Sequence, residues 1–171
     1  HLTSALAMYK RLFSTAVILI LIFVSLTSAQ EGATPTPEHL SKLNEIQQAI
    51  RDQGLDGWLL YDFRGSNAIA QRILALPREA AQSRRFFYYI PATGEPKKLV
   101  HSIERWTLDS WPGEKTIYLS WQSLHQGVCD MLKGARRIAM EYSPMGNIPY
   151  ISRVDAGTIE IVRKCGVEIV S

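Results

Sequence analysis

The residues best suited to chemistry in this sequence follow one short apolar run, Trp58-Leu-Leu-Tyr61. They are four polar side chains and a glycine, namely Asp62, Arg64, Gly65, Ser66 and Asn67. A short continuous apolar run bounded by turn residues is typical of a strand covered on both faces. Ligands of open α/β sheets bind beyond the carboxyl ends of the strands, so this loop is the first place to expect a small-molecule site.

The candidate nucleophile and acid–base residues do not complete an active site. Gly65-Ser-Asn67 lacks the second glycine of a nucleophile elbow. Ser66 is therefore interpreted as the N-cap of the next helix. Asp62 and Glu141 both lie near predicted strand ends, where they could meet across the sheet as an acid–base pair. Without a further motif around them, no residue of this chain is assigned a catalytic role.

Metal ligands and nucleotide-binding glycines are equally sparse. The four histidines, His1, His39, His101 and His125, are scattered, and none stands in a metal-binding motif. His101 and Glu104 could approach each other, but a catalytic metal needs about three protein ligands. The sequence has neither a P-loop nor a dinucleotide-binding glycine pattern, so it predicts no metal and no cofactor in this chain.

A one-sided helix precedes the apolar run. Thr36, Pro37 and Glu38 combine a capping hydroxyl, a first-turn proline and an acid at the positive end of the helix dipole. Apolar residues then recur at helical spacing, at Leu40, Leu43, Ile46 and Ile50. Gly54 suits the left-handed position just past the helix end. We therefore expect this helix to pack one face against a sheet.

The rest of the chain alternates strand and helix patterns. Strands are predicted at 85–90, 98–101, 116–119, 137–142 and 167–170, and helices at 68–76, 103–110, from 120 to 134 and from 152 or 155 to 166. The aromatic strand 85–90 is expected to be central and to return through Pro91-Ala-Thr-Gly94 as a hairpin. This order predicts a three-layer α/β domain with a mixed central sheet of mainly parallel strands plus one hairpin, flanked by helices.

The N-terminal residues have the order of a secretory signal peptide. After Met8 come the basic pair Lys10-Arg11, a mostly apolar stretch from 12 to 26, and the small residues Thr27-Ser-Ala29. A membrane span needs roughly 20 apolar residues, so a cut after Ala29 is favoured over an uncleaved anchor.

Domain boundaries and charge follow from that leader. Residues 1–29 are expected to be upstream sequence and signal peptide, residues 30–37 a linker, and residues 38–171 the domain. The chain has 19 basic and 16 acidic residues, and two of the basic ones lie in the leader, so the domain is nearly neutral. Such a balance argues against a nucleic-acid partner. The expected location is extracytoplasmic, either periplasmic or secreted, with membrane contact only through an uncleaved anchor.

The two cysteines, Cys129 and Cys165, fall on inward-facing positions of predicted helices. An oxidising compartment permits a disulfide, but a free cysteine in such a position behaves as a small apolar residue. We therefore expect both cysteines to be buried and unpaired, with a bridge as the alternative.

A succession of segments carries a family resemblance. The segments are Gly54-Leu-Asp-Gly-Trp-Leu-Leu-Tyr-Asp-Phe-Arg-Gly-Ser-Asn67, Arg84-Arg-Phe-Phe-Tyr-Tyr-Ile-Pro91, Gly94-Glu-Pro-Lys-Lys-Leu-Val-His101, Met140-Glu-Tyr-Ser-Pro144 and Ile148-Pro-Tyr-Ile-Ser-Arg-Val-Asp-Ala-Gly157. Over residues 38–171 they resemble the N-terminal domain of Xaa-Pro peptidases of the creatinase/prolidase/aminopeptidase P family. The element order agrees with the α/β fold of that domain.

The resemblance implies that the chemistry lies elsewhere. In that family a C-terminal domain holds two divalent ions, manganese, cobalt or zinc, which activate a water and polarise the scissile carbonyl. That domain is expected beyond Ser171, so this chain alone is expected to be inactive. Its expected role is to support assembly into a homo-oligomer and to wall the active site that receives proline-containing peptides.

The resemblance also nominates two site residues, Phe63 and Arg64. In the creatinase branch, an arginine and an aromatic residue on the loop after the first strand help to hold the substrate carboxylate, and an arginine fork suits that group. A surface salt bridge is the alternative role for Arg64. Two other functions remain open for the chain: a free-standing, non-catalytic binding or assembly module, and one half of a creatinase-like amidinohydrolase.

Overall fold

A mixed sheet organises the part of the chain that the computed structural model describes, residues 34–76 and 82–171. Its strands are β1 (Gly57–Asp62), β2 (Phe86–Pro91), β3 (Lys97–His101), β4 (Glu114–Tyr118), β5 (Arg137–Ala139) and β6 (Glu168–Val170). The helices are α1 (Pro37–Asp52), α2 (Ala68–Leu74), α3 (Trp121–Met131) and α4 (Ala156–Lys164), with short 3₁₀ turns at Ser102–Glu104 and Pro144–Gly146. The predicted leader and the predicted helix stop at Pro77 lie outside the described residues. Within those residues, no helix is both long enough and apolar enough to cross a membrane.

The strand order across the sheet is β4-β3-β2-β1-β5-β6. β2 runs antiparallel to β1 and to β3, whereas the pairs β3–β4, β1–β5 and β5–β6 are parallel. The predicted mixed sheet with one hairpin is thereby confirmed. In consequence, the carboxyl ends of β1, β3 and β4 share one edge of the sheet with the amino end of β2.

Alternate residues of the central strands pack into two apolar layers. Leu59 and Phe87 belong to the layer under α3 and α4, whereas Leu60 and Tyr88 belong to the layer under α1 and α2. The aromatic strand β2 is buried from Phe86 to Ile90, as expected for a central strand. Helices on both sides of one sheet make the three-layer α/β architecture that the sequence predicts.

The segment 103–110 departs from prediction, because it forms the end of a 3₁₀ turn and a run of further turns instead of a helix. The buried Nζ of Lys98 donates to the carbonyl oxygens of Leu108 and Trp111, at 3.2 and 2.6 Å. Leu108 also has a left-handed backbone, with φ of 73°. A left-handed residue interrupts a right-handed helix. In addition, the carbonyl groups of Leu108 and Trp111 point toward the Lys98 ammonium, so they do not lie along a helix axis. The local pattern contains no sign of that distant lysine.

The strand predicted at 137–142 also ends early, at Ala139. The carbonyl oxygen of Glu141 accepts the N–H groups of Arg153 and Val154, at 2.8 and 3.1 Å. These bonds to the loop before α4 replace the ladder bonds that a longer strand would make.

The prediction that Cys129 and Cys165 are unpaired is wrong, because the two residues form a disulfide with Cα atoms 4.9 Å apart. Cys129 lies on α3 and Cys165 caps the end of α4, and these helices lie side by side on one face of the sheet. Both residues are half-buried, so the expected full burial is not found either. The helical pattern could not show that the two helices are neighbours.

Opening this disulfide is expected to lower stability substantially. The bridge closes a loop of 36 residues in sequence separation, and releasing a loop of that size costs about 4 kcal/mol through the unfolded chain. Urea unfolding with and without a thiol reductant measures the change. The double variant Cys129→Ala/Cys165→Ala should have the urea midpoint of the reduced wild type, and adding the reductant should not change it. An unchanged midpoint for the reduced wild type would contradict this expectation.

Candidate functional site

The loop after β1 is built around one buried carboxylate, that of Asp62, which has no exposed surface. Its Oδ1 accepts the N–H of Asn67 at 2.7 Å. Its Oδ2 accepts the N–H of Gly65 at 2.8 Å and the amide Nε2 of Gln71 at 2.9 Å. Because three donors satisfy both oxygens, burying this charge is tolerated, and the path of the chain from 62 to 67 is fixed.

The predicted rim residues Phe63 and Arg64 stand at the tip of this loop, and both are exposed. Arg64 has φ of 57° and Gly65 has φ of 73°. A left-handed backbone costs a non-glycine residue about 1 kcal/mol and persists only where the surroundings fix it. Here the Gly65 and Asn67 bonds to Asp62, together with the Ser66 N–H bond to the Phe63 carbonyl at 3.1 Å, supply that restraint.

Arg64 forms no salt bridge with any residue in the described ranges. The guanidinium is therefore presented to solvent by a restrained turn, and the described part of the chain gives no support to the surface salt bridge proposed as its alternative role. Backbone strain at an exposed, chemically capable side chain is a recurring feature of binding sites.

Asn67, and not the predicted Ser66, is the N-cap of α2. Its Oδ1 accepts the N–H groups of Ile69 and Ala70, at 3.2 and 3.1 Å. Its Nδ2 donates to the carbonyl of Tyr61 at 2.8 Å and to Oε2 of Glu141 at 2.7 Å. An amide side chain can accept at one end and donate twice at the other, whereas a serine hydroxyl cannot bridge the helix start to two other groups.

Glu141 is the second buried carboxyl group of this region, with 4% of its surface exposed. Its Oε1 accepts the indole N–H of Trp58 at 2.5 Å, and its Oε2 accepts Nδ2 of Asn67 at 2.7 Å. Burial raises the pKa of Glu141 to about 7, although both hydrogen bonds act in the opposite direction. The same side chain lines an apolar cleft of about 350 Å³, together with Trp58 and Met140.

Asp62 and Glu141 do not meet as the acid–base pair suggested from the sequence. Asn67 lies between them, with its backbone N–H on Asp62 and its side-chain amide on Glu141. Every carboxylate oxygen of the pair already accepts a donor from the protein. The two acids therefore bind donors of the protein, and Asn67 joins one to the other.

His101 and Glu104 do not form a metal site either. His101 Nδ1 accepts the N–H of Ile103 at 3.1 Å. Glu104 accepts the N–H and hydroxyl of Ser83 at 2.8 and 2.6 Å, and the N–H of Arg84 at 3.1 Å. Across residues 34–76 and 82–171, no group of three His, Cys, Asp or Glu side chains is placed to hold a metal ion.

Two positions of this network carry a sequence signal that motif reasoning alone misses. Asparagine ranks with serine among the best N-cap residues, so Asn67 is as good a candidate as Ser66. Glu141 is an acid inside the apolar strand-like run Ile138-Ala-Met-Glu-Tyr142, and an acid in such a run is usually buried with a partner.

No protein-family model and no curated protein matches this sequence. Its fold, in contrast, has solved counterparts. The creatinase/prolidase N-terminal domain of an X-Pro dipeptidase from Streptococcus pyogenes matches with a TM-score of 0.56 at 11% identity, covering 76% of this chain and 98% of that one. A proline dipeptidase structure from Streptococcus agalactiae matches with a TM-score of 0.55 at 15% identity, covering 77% and 94%.

Longer relatives place this match within a larger chain. An Xaa-Pro dipeptidase from Bacillus anthracis matches with a TM-score of 0.53 at 12% identity, and the match covers 77% of this chain but 33% of that one. At sequence identities this low, the structural matches establish the fold alone. The chain therefore has the fold of the creatinase/prolidase N-terminal domain found in Xaa-Pro dipeptidases, as its sequence resemblance implied.

Replacing Asn67 is expected to cost far more stability than replacing its neighbour. Asn67→Ala removes the N-cap and leaves Glu141 short of a donor, for a loss of about 2 kcal/mol or more. Ser66→Ala, at the exposed position just before Asn67, is the control and should change stability by less than about 0.5 kcal/mol. Urea unfolding of both variants measures the two losses of stability. Equal losses would contradict the assignment of the N-cap to Asn67 alone.

Glu141 should make stability fall as pH rises toward neutrality. Its pKa in the folded protein is about 7 against an ordinary value of 4.5. The stability that comes from its tighter proton binding is fully present below the ordinary pKa and is lost as pH rises through the folded pKa.

Between about pH 5 and pH 8, the free energy of unfolding of the wild type should fall by on the order of 2–3 kcal/mol more than that of Glu141→Gln. Glu160→Gln, a change at an exposed glutamate of α4, is the matched control and should retain the wild-type slope. Urea unfolding across that pH range measures all three. Parallel curves for Glu141→Gln and the wild type would show that Glu141 does not titrate there.

Proposed function

We propose that this chain is the N-terminal, non-catalytic domain of a secreted Xaa-Pro peptidase. The observation that carries the proposal is the match to a creatinase/prolidase N-terminal domain of an X-Pro dipeptidase, which extends over 98% of that domain. The succession of family-like segments from Gly54 to Gly157 in the sequence supports the same assignment. The signal-like leader supports secretion.

Hydrolysis is assigned to a second domain. The described residues offer no cluster of ligands that fits a metal ion, so no catalytic step is assigned to them. Two divalent ions, held by carboxylates and a histidine of that second domain, would supply an activated water and polarise the scissile carbonyl. The match to about a third of the Bacillus anthracis dipeptidase leaves room for such a domain in a protein of that length.

The part of this domain best placed to contact substrate is the tip of the loop after β1. Phe63 is 41% exposed and offers an apolar face, while Arg64 offers a guanidinium without a salt-bridge partner in the described chain. Asp62 restrains the turn beneath them. A preorganised arginine loses little conformational freedom when it binds a carboxylate, so this pair suits one wall of a site that receives proline-containing peptides. Assembly into a homo-oligomer would allow the wall to face a neighbouring subunit.

The proposal is tested on the product of the complete gene, with this chain as a comparison. The complete product should hydrolyse Xaa-Pro peptides in the presence of manganese, cobalt or zinc, whereas the 171-residue chain should not. Lack of hydrolysis by the complete product would overturn the peptidase assignment and favour a binding or assembly module. Hydrolysis of a creatine-like substrate in place of peptides would indicate the amidinohydrolase alternative.

Arg64→Ala in the complete enzyme should raise KM about tenfold or more, because a charge-assisted contact to substrate is lost. Arg136→Ala, which removes an exposed arginine at the opposite edge of the sheet, is the control and should leave KM unchanged. Steady-state kinetics on one peptide series gives both values. An unchanged KM for Arg64→Ala would remove Arg64 from the substrate wall without touching the family assignment.

A further inference from the structure

We propose that a second pocket of this domain binds a small molecule or peptide end that carries a carboxylate beside an apolar group. This pocket, called the edge pocket below, has a volume of about 580 Å³. The residues that define it are Phe63, Arg84, Arg85, His101, Trp121 and Asp155. Arg64, the carboxylate contact proposed above, does not line this pocket, although its neighbour Phe63 does.

The sheet topology brings these residues together. Arg84 and Arg85 directly precede β2, and β2 is antiparallel to its neighbours, so its amino end lies at the carboxyl edge of β1 and β3. His101 is the last residue of β3, and Trp121 is the first residue of α3. Asp155 is the N-cap of α4. The edge pocket therefore lies at the carboxyl ends of the parallel strands, where ligands of open α/β sheets usually bind.

Two acids of this region, Asp155 and Glu104, already accept hydrogen bonds from the protein. Asp155 accepts the hydroxyl of Tyr61 at 2.9 Å and both the N–H and hydroxyl of Thr158 at 2.8 Å. The carboxylate of Glu104 accepts hydrogen bonds from the N–H and hydroxyl of Ser83 and from the backbone N–H of Arg84. Neither acid forms a salt bridge with Arg84 or Arg85 in the described ranges. Both guanidinium groups thus keep donors for an added anion.

Two tyrosines, Tyr61 and Tyr118, line the same pocket as Arg85. Burial raises the pKa of Tyr61 to about 12 and also raises the pKa of Tyr118, while the positive charge of Arg85 acts in the opposite direction on both. The hydroxyl of Tyr118 donates to the Arg85 carbonyl at 2.7 Å and ties the start of β2 to the end of β4. The arginine is thereby anchored through its backbone beside the pocket floor.

His101 adds a third donor. Its Nδ1 accepts the N–H of Ile103 at 3.1 Å, so the neutral ring carries its proton on Nε2. The ring packs edge-on against Tyr118, with centroids 5.0 Å apart. A ring held at both its nitrogen and its edge keeps a defined orientation, and its N–H is available to an acceptor.

The mouth of the pocket is apolar. Phe63, Leu119 and Trp121 line it and are 41%, 75% and 63% exposed. Large apolar side chains grouped on a surface usually mark a contact site. Arginines that match a carboxylate, next to aromatic faces, favour a ligand with an acid and an apolar or aromatic group a few bonds apart.

The direct test is an isothermal calorimetric titration of the full chain with N-acetyl-phenylalanine. Its neutral amide has the same apolar group without the charge and serves as the ligand control. We expect binding of the acid in the millimolar range and at least about tenfold weaker binding of the amide. Arg85→Gln and Arg84→Gln should each lower the affinity for N-acetyl-phenylalanine about tenfold, whereas Arg136→Gln and Arg64→Gln should leave that affinity unchanged.

Thermal unfolding establishes that each variant is folded, and Arg85→Lys replaces Arg85→Gln if that variant is not. No binding of the acid at about 20 mM would overturn the proposal, as would equal binding of acid and amide. Inorganic phosphate that competes as well as the acid would also overturn it, because the pocket would then recognise charge alone. Weakening by Arg64→Gln but not by Arg85→Gln would assign the ligand to the loop tip and leave the edge pocket without a role.

Discussion

Asp62 is the side chain on which the loop at the carboxyl edge of the sheet depends, because its buried carboxylate joins the end of β1, the loop tip and the start of α2. It accepts N–H groups from Gly65 and Asn67 and the side-chain amide of Gln71. Asn67 extends the network to Glu141, and so couples the edge to the segment that follows β5. A buried charge satisfied by backbone donors is costly to disturb, so the exposed tip can hold a strained arginine.

The reversed direction of β2 has a comparable effect on the whole carboxyl edge. An all-parallel sheet would place the amino end of β2 at the far side of the molecule. Because β2 is antiparallel to both neighbours, Arg84 and Arg85 arrive beside the carboxyl ends of β1, β3 and β4. One edge thus carries the loop tip with Arg64 and the edge pocket with the arginine pair. The described residues of this edge include no group of three His, Cys, Asp or Glu side chains placed to hold a metal ion, whereas their arginine side chains have the geometry that suits a carboxylate.

Apolar periodicity and aromatic content predicted the mixed three-layer fold and the central position of β2, because these features depend on which faces are buried. The three main errors involve long-range contacts. Lys98 donates to the carbonyl groups of Leu108 and Trp111 at the end of the segment predicted as a helix, and the Cys129–Cys165 bridge depends on which helices are neighbours. The cap at Asn67 depends on its bond to Glu141, which is 74 residues away in the sequence. The rim residues came from family resemblance, and only the structure gave the left-handed conformation of Arg64.

The loop after β1 must be a rigid platform if it is to present a substrate wall, and amide hydrogen exchange on the full chain tests this directly. The amides of Gly65 and Asn67 donate to Asp62, whereas the amide of Arg64 has no partner in the described chain. We predict that Gly65 and Asn67 exchange about as slowly as the amides of β1, while Arg64 exchanges fast. Equally fast exchange at all three positions would contradict this view, because an unrestrained loop could not present Phe63 and Arg64 in a fixed geometry.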